Sequence, residues 1–391
     1  MPHGPHLRAA IVGGGMIAGV HATALRVAGI PLRGVLASSA TTTERAAARF
    51  GAPVTYADFD AVLDDDLVDV VHLCTPNRLH ASQAVAALDA GKHVICEKPM
   101  ATSLGEAEDV ARAAERSGRQ VAVPFVYRYH PVVREIRARV RAGDLGAWQV
   151  FHGSYLQDWM LDPSVSNWRV DPGQGGRSRA FADIGTHWFD AVEWVAGVRF
   201  DEVFATLTTT HAQRPSAPSQ TFAAESAAAA EPGHGSASGA TDALATVLTE
   251  DVACVIARTA DGVPATVTIS QVSAGRKNRL WFELDGAHGS AVFDQEHPES
   301  AWFGSRDGWR EFLRDAATGS PEQRRLSVLP AGHTQGHVEL FRAFVADAYG
   351  TFAGDTSVEG LPDVHDGVRS TAIVDAVLRS AAAGSAVEVA R

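Results

Sequence analysis

Residues 7–29 read LRAAIVGGGMIAGVHATALRVAG, and this stretch decides the fold. A short apolar run meets glycines, and a helical pattern follows at once. Gly13, Gly15 and Ala18 satisfy G-x-G-x-x-G/A: the first glycine permits a tight turn, the second lets backbone approach a pyrophosphate, and Ala18 lets the helix pack on the strand. Met16 and Ile17 open that helix and join the glycines as expected cofactor contacts. The motif follows a strand-like run and precedes a helix, the context in which it means dinucleotide binding.

Beyond it, strand-like and helix-like pieces alternate: LRGVLAS, TTTERAAARFG, VDVVHLCT, LHASQAVAALDAG, KHVICEK, TSLGEAEDVARAAERSG and QVAVPFVY. This rhythm predicts an α/β Rossmann domain over residues 1–128, a doubly wound parallel sheet with crossover helices. Capping boxes are predicted at Thr41 to Glu44 and Ser103 to Glu106, with Gly91 and Gly118 ending helices. In such a sheet ligands bind beyond the carboxyl ends of the strands. Thr75, Pro76 and Asn77 fall at one such end, Glu97 and Lys98 at another, so all five are expected at the cofactor. Taken alone, Lys98 fits a solvated surface lysine equally well.

Rossmann domains often place an acid about 20 residues past the glycines to hold the ribose hydroxyl. Here VLASSATTTER has none before Glu44, and Ser38, Ser39 and Arg45 stand instead. A carboxylate would repel a 2′-phosphate, whereas serines and an arginine bind one. The expected cofactor is NAD(P), with NADP favoured.

The chain of 391 residues, 46% hydrophobic and 20% charged, is long enough for two domains. Its net charge of -12 argues against nucleic acid or an anionic membrane as partner. Cys74, Cys96 and Cys254 lie far apart in apolar runs, giving neither a disulfide framework nor a metal spacing. With no apolar stretch of membrane length, the expectation is a cytoplasmic protein without a metal.

Residues 129–391 form the second expected domain. The helical segment PVVREIRARVRAG leads into AWQVFHGSYLQDW, and FDEVFATLTT, DVACVIAR, VPATVTISQV and LWFELDG follow without intervening helices. That order predicts an α+β domain with a large, open, mostly antiparallel sheet. Residues 211–242, rich in Ala, Ser, Gly and Pro, are expected to be a surface excursion, and a C-terminal helix near 365–384 to pack back on the first domain. In FADIGTHWFDAVEWVAG, residues 181–197, Asp183 and His187 are four apart and share one helix face. An Asp near a helix start and a buried His also fit a purely structural role; Gly185 between them points to a close backbone approach.

With the glycine turn, CTPNRLH, AGKHVICEKP, YRYHP and DIGTH in this order, the chain resembles the glucose-fructose oxidoreductase/inositol dehydrogenase (Gfo/Idh/MocA) family over nearly its whole length. The resemblance implies a sugar or polyol substrate and a homodimer or homotetramer. It also implies a catalytic set of Lys98, Asp183 and His187, and adds His80 to the cofactor site. His187 would be the general base, Asp183 would orient it, and Lys98 would stabilise charge developing on the substrate oxygen. GSYLQDWMLDP, NWR and SAGRKNRLWFELDGAHGSAVFD resemble the levoglucosan and glucoside dehydrogenase branch. Tyr127, Arg128, Tyr155, Gln157, Asp158, Trp159, Trp168 and Arg169 would then line the sugar site with His187. Arg179 and Phe181 stand where small residues are common, so a differently shaped pocket is expected. The implied activity is an NAD(P)-dependent dehydrogenase. The rivals are a redox-neutral hydrolase or lyase using transient oxidation at C3, and a non-catalytic dinucleotide sensor.

Overall fold

The computed structural model describes residues 7–216, 243–355 and 358–390. Its first sheet comprises β1 (Ala9–Val12), β2 (Leu32–Leu36), β3 (Val54–Thr55), β4 (Val70–Leu73), β5 (His93–Cys96) and β6 (Val121–Ala122), all parallel, in the order β3-β2-β1-β4-β5-β6. Strand order reverses beside β1, which opens the ligand crevice of a doubly wound sheet at the carboxyl ends of β1 and β4. The helices are α1 (Met16–Ala28), α2 (Ala40–Phe50), α3 (Phe59–Leu63), α4 (Asn77–Asp89) and α5 (Leu104–Ser117). Leu25 and Phe50 of α1 and α2 pack on one face of the sheet, and Leu88 and Val110 of α4 and α5 on the other.

Capping differs in detail from the sequence pattern. Ser39, not Thr41, caps α2: its Oγ accepts the Thr42 N–H at 3.2 Å, and Thr42 Oγ1 accepts the Ser39 N–H at 2.9 Å. The Ala37 N–H also reaches Thr43 Oγ1, tying the end of β2 to the helix and drawing its start forward. Ser103 does cap α5, whereas the Glu106 carboxylate takes both the N–H and the O–H of Thr102.

The second domain begins with α6 (Pro131–Arg141), β7 (Trp148–Leu156), α7 (Pro172–Gly175) and α8 (Thr186–Ala196). Then come β8 (Phe200–Thr208), β9 (Gln213–Pro215), β10 (Leu244–Thr246), β11 (Val252–Thr259), β12 (Pro264–Ser270), β13 (Arg279–Gly286), β14 (Ser290–Asp294), β15 (Ser300–Ser305) and β16 (Gly308–Leu313). The chain closes with α9 (Pro321–Leu326), α10 (His337–Phe352), α11 (Val364–Ala383) and β17 (Val387–Glu388). Nine strands form a sheet in the order β16-β15-β14-β13-β7-β12-β11-β8-β17, antiparallel at every pair except β7 with β12. Trp188 and Phe189 of α8, and Ile373 and Val377 of α11, cover one face. The other face is open, and Ile256 and Cys254 point outward on it while Val255 and Ala257 point in. Cys254 is therefore exposed, although its sequence neighbours are apolar, because strand alternation rather than local hydrophobicity sets the direction of a side chain.

Two helices join the domains. Between β8 and the first sheet, α11 packs against α5 as well. Helix α10 brings Leu340, Phe341 and Phe344 into the core that holds Leu25 of α1, so it shares the first domain's core although it lies far beyond residue 128. The expected 211–242 excursion opens as a strand, β9, paired antiparallel with β10, and its remainder, 217–242, falls outside the described residues. Among the described residues no helix is long and apolar enough to cross a membrane.

Candidate active site

The glycine turn is pressed against the end of β4. Gly13 has φ +135°, and a Cβ there would lie 2.4 Å from the carbonyl oxygen of Cys74. Gly13→Ala is therefore expected to cost about 2 kcal/mol or more of folding stability; a urea midpoint equal to that of the parent would show that the turn relaxes freely. Gly15 begins α1, with neither a side-chain cap nor an acid in the first turn and with open space where its Cβ would be. The helix N-terminus thus keeps its amides and its positive dipole end for an anion such as a pyrophosphate. From outside, Arg49 Nη2 donates to the carbonyls of Gly14 and Gly15 at 2.9 Å each. Sequence reasoning singled out Arg45 and missed Arg49, one helical turn further along α2. Arg45 and Ser38 are exposed beyond β2, and Ser39 serves the helix cap described above.

Several expected cofactor residues have inward-facing partners. His80 is a correction: it is buried, with Nδ1 2.8 Å from the Pro99 carbonyl and Nε2 2.8 Å from the Thr75 carbonyl, so both ring nitrogens face the protein rather than a ligand. Thr75 Oγ1 donates to Gln83, and Asn77 Nδ2 donates across the domain boundary to the Gly175 carbonyl. Pro76 sits at the N-cap of α4. Glu97 also turns inward. Its Oε2 accepts the Lys98 N–H, while Oε1 lies 3.0 Å from His21 Nε2. His21 Nδ1 lies 2.9 Å from His72 Nδ1, and His72 Nε2 lies 2.9 Å from the Tyr349 hydroxyl, completing a buried chain from the cleft to α10. Burial opposes the charge on Glu97, but His21 and Lys98 outweigh it and hold the carboxyl below its usual range.

Lys98 projects from the carboxyl end of β5, and its peptide to Pro99 is cis. Its Nζ donates at 2.9 Å to Asp183 Oδ1 and at 2.9 Å to the Asp183 carbonyl, 85 residues away in the chain. Asp183 lies in a π turn, Phe181–Gly185, that runs directly into α8; such turns often mark functional sites. A Cβ on Gly185 would come within 2.6 Å of the Phe181 ring, so a glycine is required for the turn to close on that ring. Burial alone would raise the Asp183 carboxyl, but Lys98 and Arg169 outweigh it and hold it well below the usual carboxylate range. Its Oδ2 accepts from Gln271 Nε2 at 2.9 Å, a residue that sequence reasoning missed.

His187 is buried beside this pair, with the rings of Phe125, Tyr127 and Tyr155 centred 5.8, 5.3 and 6.2 Å from its own. Burial first, and then the Lys98 cation, push its pKa well below that of an ordinary histidine, while Asp183 opposes them less strongly. The imidazole is therefore neutral near pH 7. One expectation is corrected here: Asp183 bonds Lys98 and Gln271 rather than orienting His187, whose Nδ1 is buried without a partner among the described residues.

The expected substrate residues divide. Arg169 stacks on Trp168, with its Nε 3.7 Å from Asp183 Oδ1, and both stay partly exposed to the cleft. The Tyr127 and Tyr155 hydroxyls lie 2.7 Å apart and donate onward to Gln295 and Asn278. Gln157 is buried and its amide is shared between Asn278 and Trp159. Asp158 is held by Lys277 Nζ at 2.7 Å and the Gly275 N–H at 3.1 Å. Arg128 is the clear correction: its guanidinium is buried against Asp190 and Asp366, between α8 and α11, because the short 3₁₀ turn that carries it points it away from the cleft. Arg179 is likewise absent from the pocket wall, being fully buried beneath it.

Comparison with known proteins agrees with this fold. Residues 7–125 match the oxidoreductase family with an NAD-binding Rossmann fold, and residues 133–292 match the Gfo/Idh/MocA C-terminal domain. The chain is 32% identical to levoglucosan dehydrogenase of Pseudarthrobacter phenanthrenivorans over 98% of both chains. It is 33% identical to D-glucoside 3-dehydrogenase of Escherichia coli over 49% of this chain and 54% of that one. The solved structure of levoglucosan dehydrogenase with NADH and L-sorbose is similar at a TM-score of 0.86 and 28% identity, covering 98% of this chain and 99% of that one. The chain belongs to the Gfo/Idh/MocA family of oxidoreductases, and the relatives it resembles include sugar dehydrogenases.

Proposed function

We propose that the protein is an NAD(P)-dependent dehydrogenase that oxidises a secondary ring hydroxyl of a sugar, glycoside, anhydrosugar or polyol. The observation that carries this reading is the Lys98 ammonium held on Asp183 across the domain boundary, beside a buried and neutral His187. The nicotinamide, when bound, supplies the hydride acceptor. Lys98 stabilises negative charge developing on the substrate oxygen, and the His187 ring takes the hydroxyl proton. Asp183 keeps the ammonium in place, and Trp168 with Arg169 offers an apolar face and donors to a sugar ring. That levoglucosan dehydrogenase has been solved with NADH and levoglucosan supports the substrate class.

The absence of an acid after β2, together with Ser38, Ser39 and Arg45, supports use of NADP. Free cysteines support a cytoplasmic location, and the open sheet face supports a homo-oligomer. The test is the near-ultraviolet absorbance of reduced nicotinamide, followed with purified protein, each dinucleotide and a panel of monosaccharides, glycosides, anhydrosugars and polyols. Reduction with one substrate class, at least as efficient with NADP as with NAD, is expected. Arg45→Ala should cost about fivefold with NADP and nothing with NAD, the size of one exposed ion pair. Cofactor binding without net reduction would instead favour the redox-neutral hydrolase or lyase.

A further inference from the structure

Arg214 stands in the stretch that reads as a loop, yet it is only 1% exposed. Its Nη1 donates to the carbonyls of Asp162 and Val165 at 2.9 and 2.8 Å, and its Nη2 donates to Met160 at 2.6 Å and to Asp251 Oδ1 at 3.4 Å. The three carbonyls belong to one short piece of chain, which leads directly into Trp168 and Arg169. A buried guanidinium needs a matched charge. Asp251, fully buried, faces it and receives Arg179 on the same oxygen, so one carboxylate serves two guanidiniums. The other oxygen of Asp251 accepts the N–H groups of Thr210 and His211 at 2.6 and 3.3 Å.

Arg179 Nη1 donates to Gln271 Oε1 at 3.0 Å, and Gln271 Nε2 donates to Asp183 Oδ2 at 2.9 Å. An unbroken line of hydrogen bonds thus runs from the 160–165 carbonyls through Arg214, Asp251, Arg179 and Gln271 to the carboxylate that holds Lys98. The Gln271 backbone adds two more links, its N–H to Asp251 O at 3.0 Å and its carbonyl to the Met160 N–H at 3.1 Å. Beneath the segment, Met160, Val165, Val170 and Val247 form a small apolar cluster separate from the large cores. So small a cluster orders a loop weakly, and the buried polar clamp supplies the rest.

We propose that Arg214 and Asp251 clamp residues 157–170 into a fixed wall of the substrate cleft, and that Arg179 and Gln271 tie this wall to Asp183. Arg214 is then a positioning residue that sets substrate specificity without touching substrate. Its effect on substrate rests on the dehydrogenase reading, while the ordering of 157–170 does not.

Hydrogen–deuterium exchange on the full chain tests the clamp without any substrate. Arg214→Met keeps most of the stem and removes the donors, and the amides of 158–170 are expected to exchange about tenfold faster while those of the first sheet are unchanged. Unchanged exchange in 158–170 overturns the clamp. Where a turnover assay is in hand, Arg214→Met should raise KM about tenfold with kcat within about threefold, whereas Gln271→Leu should lower kcat about tenfold with KM nearly constant. Faster exchange with unaltered KM overturns the specificity role. If Arg214→Met does not fold, Arg214→Lys, which keeps the charge with fewer donors, should show the same exchange pattern at smaller size. Parent-like exchange in that variant overturns the clamp equally.

Discussion

Replacing Lys98 by alanine is expected to lower turnover by about a thousandfold while the dinucleotide still binds, the loss typical of removing a group that stabilises charge at a reacting oxygen. Two effects add. The substrate oxygen loses its cation, and among the described residues the buried Asp183 carboxylate keeps the Gln271 donor and the more distant Arg169 charge. A second signature follows from electrostatics. Lys98 is one of the groups that depress the His187 pKa, so removing it lets that pKa climb back toward an ordinary histidine value. The acid limb of kcat/KM, which reports loss of the neutral base, should therefore move to higher pH in Lys98→Ala. Turnover within tenfold of the parent, or an unmoved acid limb, would remove Lys98 from the reacting centre.

His187→Ala should cost between about a hundredfold and ten thousandfold in kcat, the range for deletion of a general base, with cofactor affinity retained. In the parent enzyme, burial and Lys98 keep the imidazole unprotonated well below its usual range, so activity should persist on the acid side of pH 6.5 before falling. The sign is fixed by which form works: a base must be neutral, and a lowered pKa extends its working range downward. In His187→Ala that limb should vanish and the residual rate should rise only with hydroxide. A variant that keeps the parental rate would remove His187 as the proton acceptor.

The first domain was legible because its signals are local. Glycines after a strand, helix caps and alternating apolar runs each lie within a few residues, and β1, β2, β4, β5 and β6 stand where those runs are, while the two-residue β3 has no run of its own. The pairing of Lys98 with Asp183 was legible only through family motifs, since no periodicity joins positions 85 residues apart. What stayed hidden depends on the direction of side chains after packing. Arg128 and Arg179 resemble pocket residues in sequence, yet buried carboxylates at Asp190 and Asp251 draw each of them inward. Gln271 gives no signal at the end of a strand. His72, the polar residue in the wholly buried strand VVHL, was such a signal, and following it would have led to His21, Glu97 and Tyr349.

The π turn at Phe181–Gly185 makes chain length itself a determinant of the Lys98–Asp183 pair. Such a turn holds one residue more than an α-helical path requires. Deleting Ile184 would bring Asp183 and His187 from four to three positions apart and let the turn close to an α-helical path, moving the carboxylate from its place opposite Lys98. Lys98 would lose its partner with Lys98, Asp183 and His187 all still present. Single-residue insertions and deletions at this point could therefore switch the site off in relatives whose motifs look intact.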